Sequence, residues 1–233
     1  MYESILDDYT TNEIVQICKY LNKEYNIYEP DDVRWEKIKY AFYKTDEQII
    51  DELQKKTFSN EFINDLMLKY YACERVVKYH FIKQLKNATH DIVAFEMSIG
   101  DSRIDICRIN GKLYAYEIKT EYDNYDRLVT QMKDYFNAFE RVYIIIPIRN
   151  ANAVKEFIPA KCGIITYRID KSDNMIFSYK RSAKDNKCDI NFCLNSLSGS
   201  DMIKMVKILK LKPYRTKKKI LNCCLIFLKK KIS

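Results

Sequence analysis

The sequence predicts an α/β protein in which a mixed central β-sheet is flanked by helices. Three observations support this prediction: a charged hairpin pattern at residues 102–119, a continuous apolar run at residues 141–147, and helical periodicity before and after them. An apolar run without alternation is typical of a strand buried on both faces of a mostly parallel sheet. The chain has 233 residues, enough for one sizeable domain with additions or for two small ones.

Residues 1–58 form the first predicted region, which is helical. Helical spacing of apolar residues begins at Thr11, after Asp31-Asp32 and after Thr45-Asp46-Glu47. From Met1 to Lys69 the chain has fifteen acidic and nine basic residues, a net charge of −6. This charge disfavours direct contact with nucleic-acid phosphates, so we expect these helices to serve in packing or in recognition of a protein partner.

A longer helix is predicted from Ser59-Asn60 to about Leu85. Glu74 falls inside the apolar stripe of this helix, and a carboxylate on a core-facing stripe needs a partner. Alternatively, Glu74 lies at the margin of the stripe and pairs with Arg75 or Lys78.

A strand from Asp91 to Ile99 is predicted to lead into a hairpin that spans Ser102 to Lys119 and turns at Asn110-Gly111, a strong hairpin signal. Each hairpin strand alternates charged with apolar residues and so has one charged and one apolar face. A three-residue loop with Gly111 in the left-handed conformation brings the two apolar faces together. The predicted pairs are then Asp105 with Ala115, Arg103 with Glu117, and Ile104 with Tyr116.

Asp105, Glu117 and Lys119 share the charged face in this arrangement. Neighbouring carboxylates repel one another, and Mg²⁺ compensates them because it binds one or two carboxylates, waters and phosphate oxygens. A lysine on the same strand can hold or help deprotonate a metal-bound water, which completes the equipment for phosphodiester hydrolysis. An ordinary solvated face with surface ion pairs accounts for the hairpin pattern equally well.

The second half of the chain alternates predicted helices and strands. A helix from about Tyr125 to Phe139 carries Gln131 and Tyr135 one turn apart, so the two side chains project together; alternatively, Tyr135 is core and Gln131 surface. Further elements are predicted to form a sheet with helices on both sides. They are a strand at Arg141–Pro147, a short helix at Ala151–Phe157, strands at Gly163–Arg168 and Met175–Lys180, and a helix from Ser200-Asp201 to about Leu209.

Taken in order, these features resemble the restriction-endonuclease-like, or PD-(D/E)XK, nuclease superfamily. The resemblance covers about Lys69 to Tyr167 and rests on a helix glutamate, on Asp105 and on Glu117-Ile118-Lys119. Gln131-Met132-Lys133-Asp134-Tyr135 is similar to the Gln-x-x-x-Tyr motif of the RecB-type and lambda-exonuclease-type branch. Ile104 stands where the superfamily has proline, a replacement that it accepts.

The resemblance implies a restriction-endonuclease-like core at residues 59–182. A basic helical segment is predicted at residues 183–233. It also implies a metal-dependent DNA nuclease that hydrolyses phosphodiester bonds. The implied ligands of Mg²⁺ or Mn²⁺ are Asp105, Glu117, the backbone carbonyl of Ile118, and Glu74 directly or through water. In the same comparison Lys119 positions the attacking water, and Gln131 and Tyr135 orient the site or the DNA backbone. Some Gln-x-x-x-Tyr nucleases hold an iron–sulphur cluster, but Cys188 and Cys193 lack the required spacing.

Basic charge is concentrated at the C-terminus. Met202 to Ser233 has eleven Lys or Arg residues and no acid, so from the total of +8 the first 201 residues carry −3. Such a tail can contact nucleic acid or an anionic membrane surface, or it can be a solvated terminus. The apolar run from Ile220 to Leu228 is too short to span a bilayer. Scattered cysteines and the absence of a secretory signal at the N-terminus predict a reducing cytoplasm.

From the sequence we expect DNA as a partner, no membrane span, and a protein partner or a homodimer as further possibilities. The alternative hypothesis is a catalytically inactive protein of the nuclease fold that binds nucleic acid or a protein partner. A third hypothesis is an unrelated α/β protein with a basic tail that contacts a membrane surface.

Overall fold

A computed structural model describes residues 3–26, 28–85, 91–172 and 174–208. The chain divides into two compact units, the first comprising Met1–His80 with Ile169–Met175, and the second Phe81–Arg168 with Ile176–Ser233. The division near the N-terminus therefore falls after His80, whereas the sequence analysis placed it after residue 58. The predicted basic segment lies outside the described residues from position 209 onwards.

The first unit is helical around an aromatic core. Trp35 stacks on Phe62 with ring centroids 5.8 Å apart, and Phe42 meets Phe62 edge-on at the same distance. The second helix begins with a capping box between Thr10 and Glu13, which satisfies backbone donors that the first turn leaves open. The helices are α1 (Glu3–Leu6), α2 (Thr11–Lys23), α3 (Asp31–Ala41), α4 (Glu47–Gln54), α5 (Ser59–Tyr70) and the part of α6 (Glu74–Leu85) up to His80.

The single long helix predicted from residue 59 to residue 85 is wrong, because the chain breaks between α5 and α6. Tyr71 adopts an extended conformation (φ −147°, ψ 80°) that ends α5, and the Cys73 amide then turns back to the Tyr71 carbonyl. The apolar spacing runs through this break, so periodicity alone does not reveal it. Its consequence is that Glu74 lies in the first turn of a helix, where the helix dipole favours a carboxylate.

The second unit is built on a six-stranded mixed sheet in the order β1-β2-β3-β4-β5-β6. The strand β2 is antiparallel to both of its neighbours, β1 and β3, whereas β3, β4 and β5 are parallel. The mixed α/β class predicted from the sequence is confirmed. The strands are β1 (Ile92–Ile99), β2 (Ser102–Asn110), β3 (Lys112–Ile118), β4 (Arg141–Pro147), β5 (Gly163–Ile169) and β6 (Met175–Arg181).

The hairpin of β2 and β3 has a different register from the predicted one. Its strands close on Asn110 and Lys112, with Gly111 between them in the left-handed conformation (φ 65°) that was predicted for it. Ala115 therefore pairs with Cys107, and Tyr116 pairs with Ile106, rather than with Asp105 and Ile104. The turn is centred one residue later than predicted, and this moves the register by two positions. A shift by two leaves every side chain on its predicted face.

Helices lie against both faces of this sheet. The helix α7 (Leu128–Ala138) connects the parallel strands β3 and β4 and packs Leu128, Met132 and Tyr135 into a core with Ile144 and Ala115. On the other face Phe81, in the last turns of α6, contacts Tyr116 at 5.0 Å between ring centroids. The predicted helix at residues 151–157 is instead two short 3-10 turns, Ile148–Asn150 and Ala153–Glu156. Two helices follow β6, α8 (Ile190–Asn195) and α9 (Gly199–Ile208).

Candidate functional site

Glu117 lies at the centre of the candidate site, at the end of β3, with only 2% of its surface exposed. Three side chains contact its carboxylate. The Gln131 amide donates to Oε1 at 2.7 Å, and the Lys119 Nζ lies 3.0 Å from the same oxygen. The Tyr135 hydroxyl lies 2.8 Å from Oε2. Four residues chosen from the sequence are therefore in one hydrogen-bonded network.

The local structure explains why these four groups meet. Glu117 and Lys119 are two residues apart along an extended chain and so share a face of the sheet. Gln131 and Tyr135 are one turn apart on α7, so both reach the same strand. The Tyr135 hydroxyl also lies 2.8 Å from the carbonyl oxygen of Arg103, which joins the helix to β2 as well as to β3.

Burial dominates the electrostatics of this network. Desolvation raises the pKa of the Glu117 carboxyl above its usual value, although Lys119, Tyr135 and Gln131 all act in the opposite direction. Desolvation, followed by the neighbouring Glu117 charge, also raises the pKa of Tyr135. Tyr135 therefore stays a hydroxyl, able to donate. A carboxyl whose pKa is raised by burial beside a lysine is typical of functional sites.

Asp105 approaches the same network from β2. Continuing the hairpin register by one residue beyond Ile106 and Tyr116 places Asp105 opposite Glu117. Asp105 is 8% exposed, and its carboxylate accepts the amide hydrogen of Ile118 at 2.7 Å. Ile118 thus contributes its backbone N–H to holding Asp105, and metal ligation by its carbonyl stays a prediction.

Glu96 is a further carboxylate of the site that the sequence analysis missed. It lies opposite Asp105 across β1 and β2, between the pairs Phe95–Ile106 and Met97–Ile104. Oxygens of the two carboxylates are within 4.8 Å of one another. Glu96 has φ 54°, a conformation that costs a residue with a side chain roughly 1–3 kcal/mol, and among the described non-glycine residues it alone has a positive φ.

A sequence signal for Glu96 existed. Gly100-Asp101 separates β1 from β2, and the Gly100 φ of 59° suits a two-residue hairpin turn. With that turn as the centre, Ile99 pairs with Ser102, and counting back along both strands reaches Glu96 and Asp105. Applying the turn rule to this first hairpin as well as to the second would have found the residue.

Glu74 was predicted as a ligand of the same metal, and it belongs to the first compact unit. Its carboxylate lies 2.8 Å from the Nζ of Lys78, one turn further along α6. This is one of the two pairings that the sequence left open for it. Its role as a ligand stays a prediction.

The residues of the site fit a divalent cation such as Mg²⁺ or Mn²⁺. Asp105 and Glu96 have carboxylate oxygens within 4.8 Å of one another, the ligand type that these hard ions prefer, and Glu117 lies opposite Asp105. An ionised carboxylate accepts at about four positions, so the three donors to Glu117 leave one of them open. In addition, the Gln131 Oε1 is buried and has no donor within the described part of the chain. A metal-bound water would supply the hydrogen that this oxygen lacks.

Comparison with known protein families gives a match over most of the chain. Residues 63–231 match the family described as Bacteriophage P4 protein cII. The chain belongs to this family. One relative, protein cII of Enterobacteria phage P4, is 29% identical over 86 residues, which are 37% of this chain. Those residues are 31% of the P4 protein, so the chain spans about a third of that relative's length.

Two solved structures are similar to parts of the P4 cII family chain. The SPO1766 protein of unknown function from Silicibacter pomeroyi is 12% identical, with a TM-score of 0.36, over 57% of this chain and 85% of that one. SfsA of Pyrococcus furiosus, in complex with Ca²⁺, is 12% identical, with a TM-score of 0.29, over 47% of this chain and 62% of its own.

Proposed function

We propose that this member of the P4 cII family is a metal-dependent DNA nuclease of the PD-(D/E)XK type, acting in the cytoplasm. The observation that carries the proposal is the buried Glu117 carboxylate. It accepts hydrogen bonds from Gln131 and Tyr135, forms an ion pair with Lys119 and lies opposite Asp105. A buried ion pair is a poor source of stability, because desolvation offsets the attraction between its charges. The buried pair of Glu117 and Lys119 is therefore better explained by a role in catalysis.

The residues then have separate roles. Asp105, Glu96 and Glu117 would hold a divalent cation, which would supply Lewis acidity to the scissile phosphate. Lys119 would orient the attacking water and stabilise the charge that develops on it. Gln131 and Tyr135 position the Glu117 carboxylate, and the Ile118 amide positions Asp105.

The decisive experiment compares cleavage by wild-type protein and Lys119→Ala in Mg²⁺. We expect the variant to lose at least about 10²-fold in cleavage rate, the size of effect seen when one charge-stabilising group is removed. Its affinity for DNA should stay close to that of the wild type. Lys112→Ala is a suitable control, because that lysine lies at the hairpin turn and is bound to Asp185. Cleavage by Lys119→Ala at the wild-type rate would show that the assignment is wrong.

One observation favours a second candidate, a catalytically inactive protein of the same fold that binds nucleic acid or a protein partner. The Glu117 carboxylate already has three protein donors, so it is satisfied without a cation. Titrating Mn²⁺ against the thermal unfolding of the wild type separates the candidates. A cation bound only by the folded state raises Tm by mass action, whereas an inactive protein without a site shows no shift.

No helix in the described ranges is long and apolar enough to cross a membrane. We propose DNA as the partner of the second unit, and a protein partner for the acidic helices of the first. A homodimer is a further possibility, and sedimentation of the full chain with and without DNA would test it.

A further inference from the structure

Arg103 is an arginine beside the candidate site to which the nuclease proposal gives no role. It lies on β2 two residues before Asp105, so both side chains project from the same face of the sheet. Its carbonyl oxygen is held by the Tyr135 hydroxyl at 2.8 Å, and the same hydroxyl contacts Glu117. The backbone of Arg103 is therefore fixed to the network at the centre of the site.

The guanidinium of Arg103 is anchored through one edge only. Its Nε lies 3.0 Å from Oε2 of Glu96, while 69% of the side chain is exposed. Among the described residues, the guanidinium has no further hydrogen bond or ion pair. Its two terminal nitrogens form a planar fork, the geometry that binds two oxygens of a phosphate at once.

Glu96 determines where this fork is placed. Its left-handed backbone conformation interrupts the regular course of β1 directly opposite Asp105. The Glu96 carboxylate consequently stands between two groups, with Asp105 oxygens within 4.8 Å and the Arg103 Nε at 3.0 Å. One carboxylate thus separates the guanidinium from the acidic pair that would hold the cation.

The carboxylates beside Arg103 favour binding of a phosphodiester together with a divalent cation. Glu96, Asp105 and Glu117 bring three carboxylates to this face of the sheet. A divalent cation bound there would reduce their repulsion of a phosphodiester. The guanidinium of Arg103 is then accessible to such an anion, because 69% of the side chain is exposed.

We propose that Arg103 binds a backbone phosphate of the DNA substrate, held in place over the site by Glu96. This proposal rests on the nuclease function proposed above. The substrate class is a polyanion with neighbouring phosphates, because one phosphate is needed at the cation and another at the guanidinium. Arg103 acts here in substrate binding, and Glu96 is a positioning residue.

The test measures binding of a fluorescently labelled oligonucleotide duplex to the full chain in the Lys119→Ala background, with Mn²⁺ present and over a series of salt concentrations. Adding Arg103→Ala should raise Kd about tenfold and reduce the slope of log Kd against log salt by about one phosphate contact. Arg103→Lys should recover only part of the affinity, because an ammonium group cannot bind in the forked geometry. The control, Lys112→Ala, should keep the Kd and the slope of the parent.

Binding of Mn²⁺, followed by the loss of its free electron-paramagnetic-resonance signal, distinguishes the two proposals. Arg103→Ala should bind Mn²⁺ at least as tightly as the parent, since its removal takes a competing cation from Glu96. If the parent binds Mn²⁺ and DNA but Arg103→Ala has the Kd and slope of the parent, the Arg103 proposal alone is overturned. If the parent binds neither, the nuclease proposal is overturned and the Arg103 proposal with it.

Discussion

Lys39 and Lys119 are both bound by carboxylates, but in different surroundings. In the first unit Lys39 lies within 4.0 Å of Glu36, Glu47 and Asp51, whose side chains are 47–73% exposed. In the second unit Lys119 is bound to Glu117, and the exposed fractions of the two side chains are 13% and 3%. The first cluster is a solvated surface network, whereas the second has been removed from water.

The two clusters differ in the desolvation cost of their charges. Exposed ion pairs cost little to form and contribute little, because water and salt screen them. A buried pair loses hydration on both partners, and apolar residues of the same size are often at least as stable. The first unit therefore needs no functional explanation for its charges, and the second unit does.

Glu117→Ala should give the largest loss of stability, about 3–5 kcal/mol in the free energy of unfolding. The variant leaves Lys119 buried without a counter-ion and Gln131 without its acceptor, while Tyr135 keeps the carbonyl oxygen of Arg103. Urea unfolding followed by near-ultraviolet circular dichroism of the tyrosines would measure it. Fluorescence of Trp35, the one tryptophan in the chain, would report the first unit in the same samples.

Glu117→Gln is the matched variant for this measurement. It keeps the volume and an acceptor for Tyr135 but removes the buried negative charge. We expect it to lose less stability than the alanine variant, because it keeps a side-chain acceptor for the neighbouring donors although Lys119 still lacks a counter-ion. A loss as large as that of the alanine variant would mean that the buried charge itself stabilises the fold.

Tyr135→Phe should have an intermediate effect, about 1–2 kcal/mol, since it leaves the Arg103 carbonyl and the Glu117 Oε2 without a shared donor. If Tyr135 positions Glu117 for metal binding, the variant should also bind Mn²⁺ more weakly. Tyr143→Phe is a control from the same sheet, because the Tyr143 ring packs against Tyr116 and Tyr179 outside this network. Equal metal affinity in the Tyr135→Phe variant and the wild type would limit Tyr135 to a structural role.

The pH dependence of stability should have opposite signs at Glu117 and Glu13. Burial raises the pKa of Glu117 above 4.5, so the folded protein binds this proton more tightly than the unfolded chain. Its contribution to stability therefore increases as pH falls through the folded pKa towards 4.5. Hydrogen bonds from Lys44 and Thr10 lower the pKa of Glu13 to about 2. The contribution of Glu13 to stability is therefore fully present above pH 4.5 and is lost as pH falls from 4.5 to about 2.

Unfolding measured from about pH 8 to about pH 5 would test the Glu117 part of this prediction. Over that range the wild type should gain stability relative to Glu117→Gln, which cannot take up the proton. Glu13→Gln serves as the control, and below about pH 5 it should lose less stability than the wild type does. A constant difference between wild type and Glu117→Gln would show that the Glu117 pKa is the same in both states.

Much of the site could be predicted because it depends on local periodicity. Two-residue spacing on a strand places Glu117 beside Lys119, and four-residue spacing on a helix places Gln131 beside Tyr135. The register of β2 and β3 was mistaken by two positions, and the shared face survived because a strand repeats every two residues. The sequence therefore predicted which side chains share a face of the sheet, although it misplaced the centre of the turn.

The rest of the site depends on backbone conformations that apolar patterns do not encode. The extended conformation of Tyr71 separates α5 from α6 although neither glycine nor proline marks the break. Glu96 adopts a left-handed conformation that sequence rules assign to glycine or asparagine. Both are local departures from regular structure, and each changes where an acidic side chain lies, Glu74 in the first case and Glu96 in the second.

The smallest predicted effect is that of Asp51→Asn, which tests the other half of the comparison between the units. The Asp51 carboxylate lies 2.8 Å from the Lys39 Nζ, but it is 47% exposed, and Glu36 and Glu47 remain as partners for the lysine. We therefore expect Tm, followed by Trp35 fluorescence, to change by less than about 2 °C. Any remaining difference from the wild type should vanish in about 1 M salt, where charges are screened within about 3 Å. A larger, salt-resistant loss would mean that the first unit also depends on a desolvated ion pair, and the contrast with Lys119 would no longer point to function.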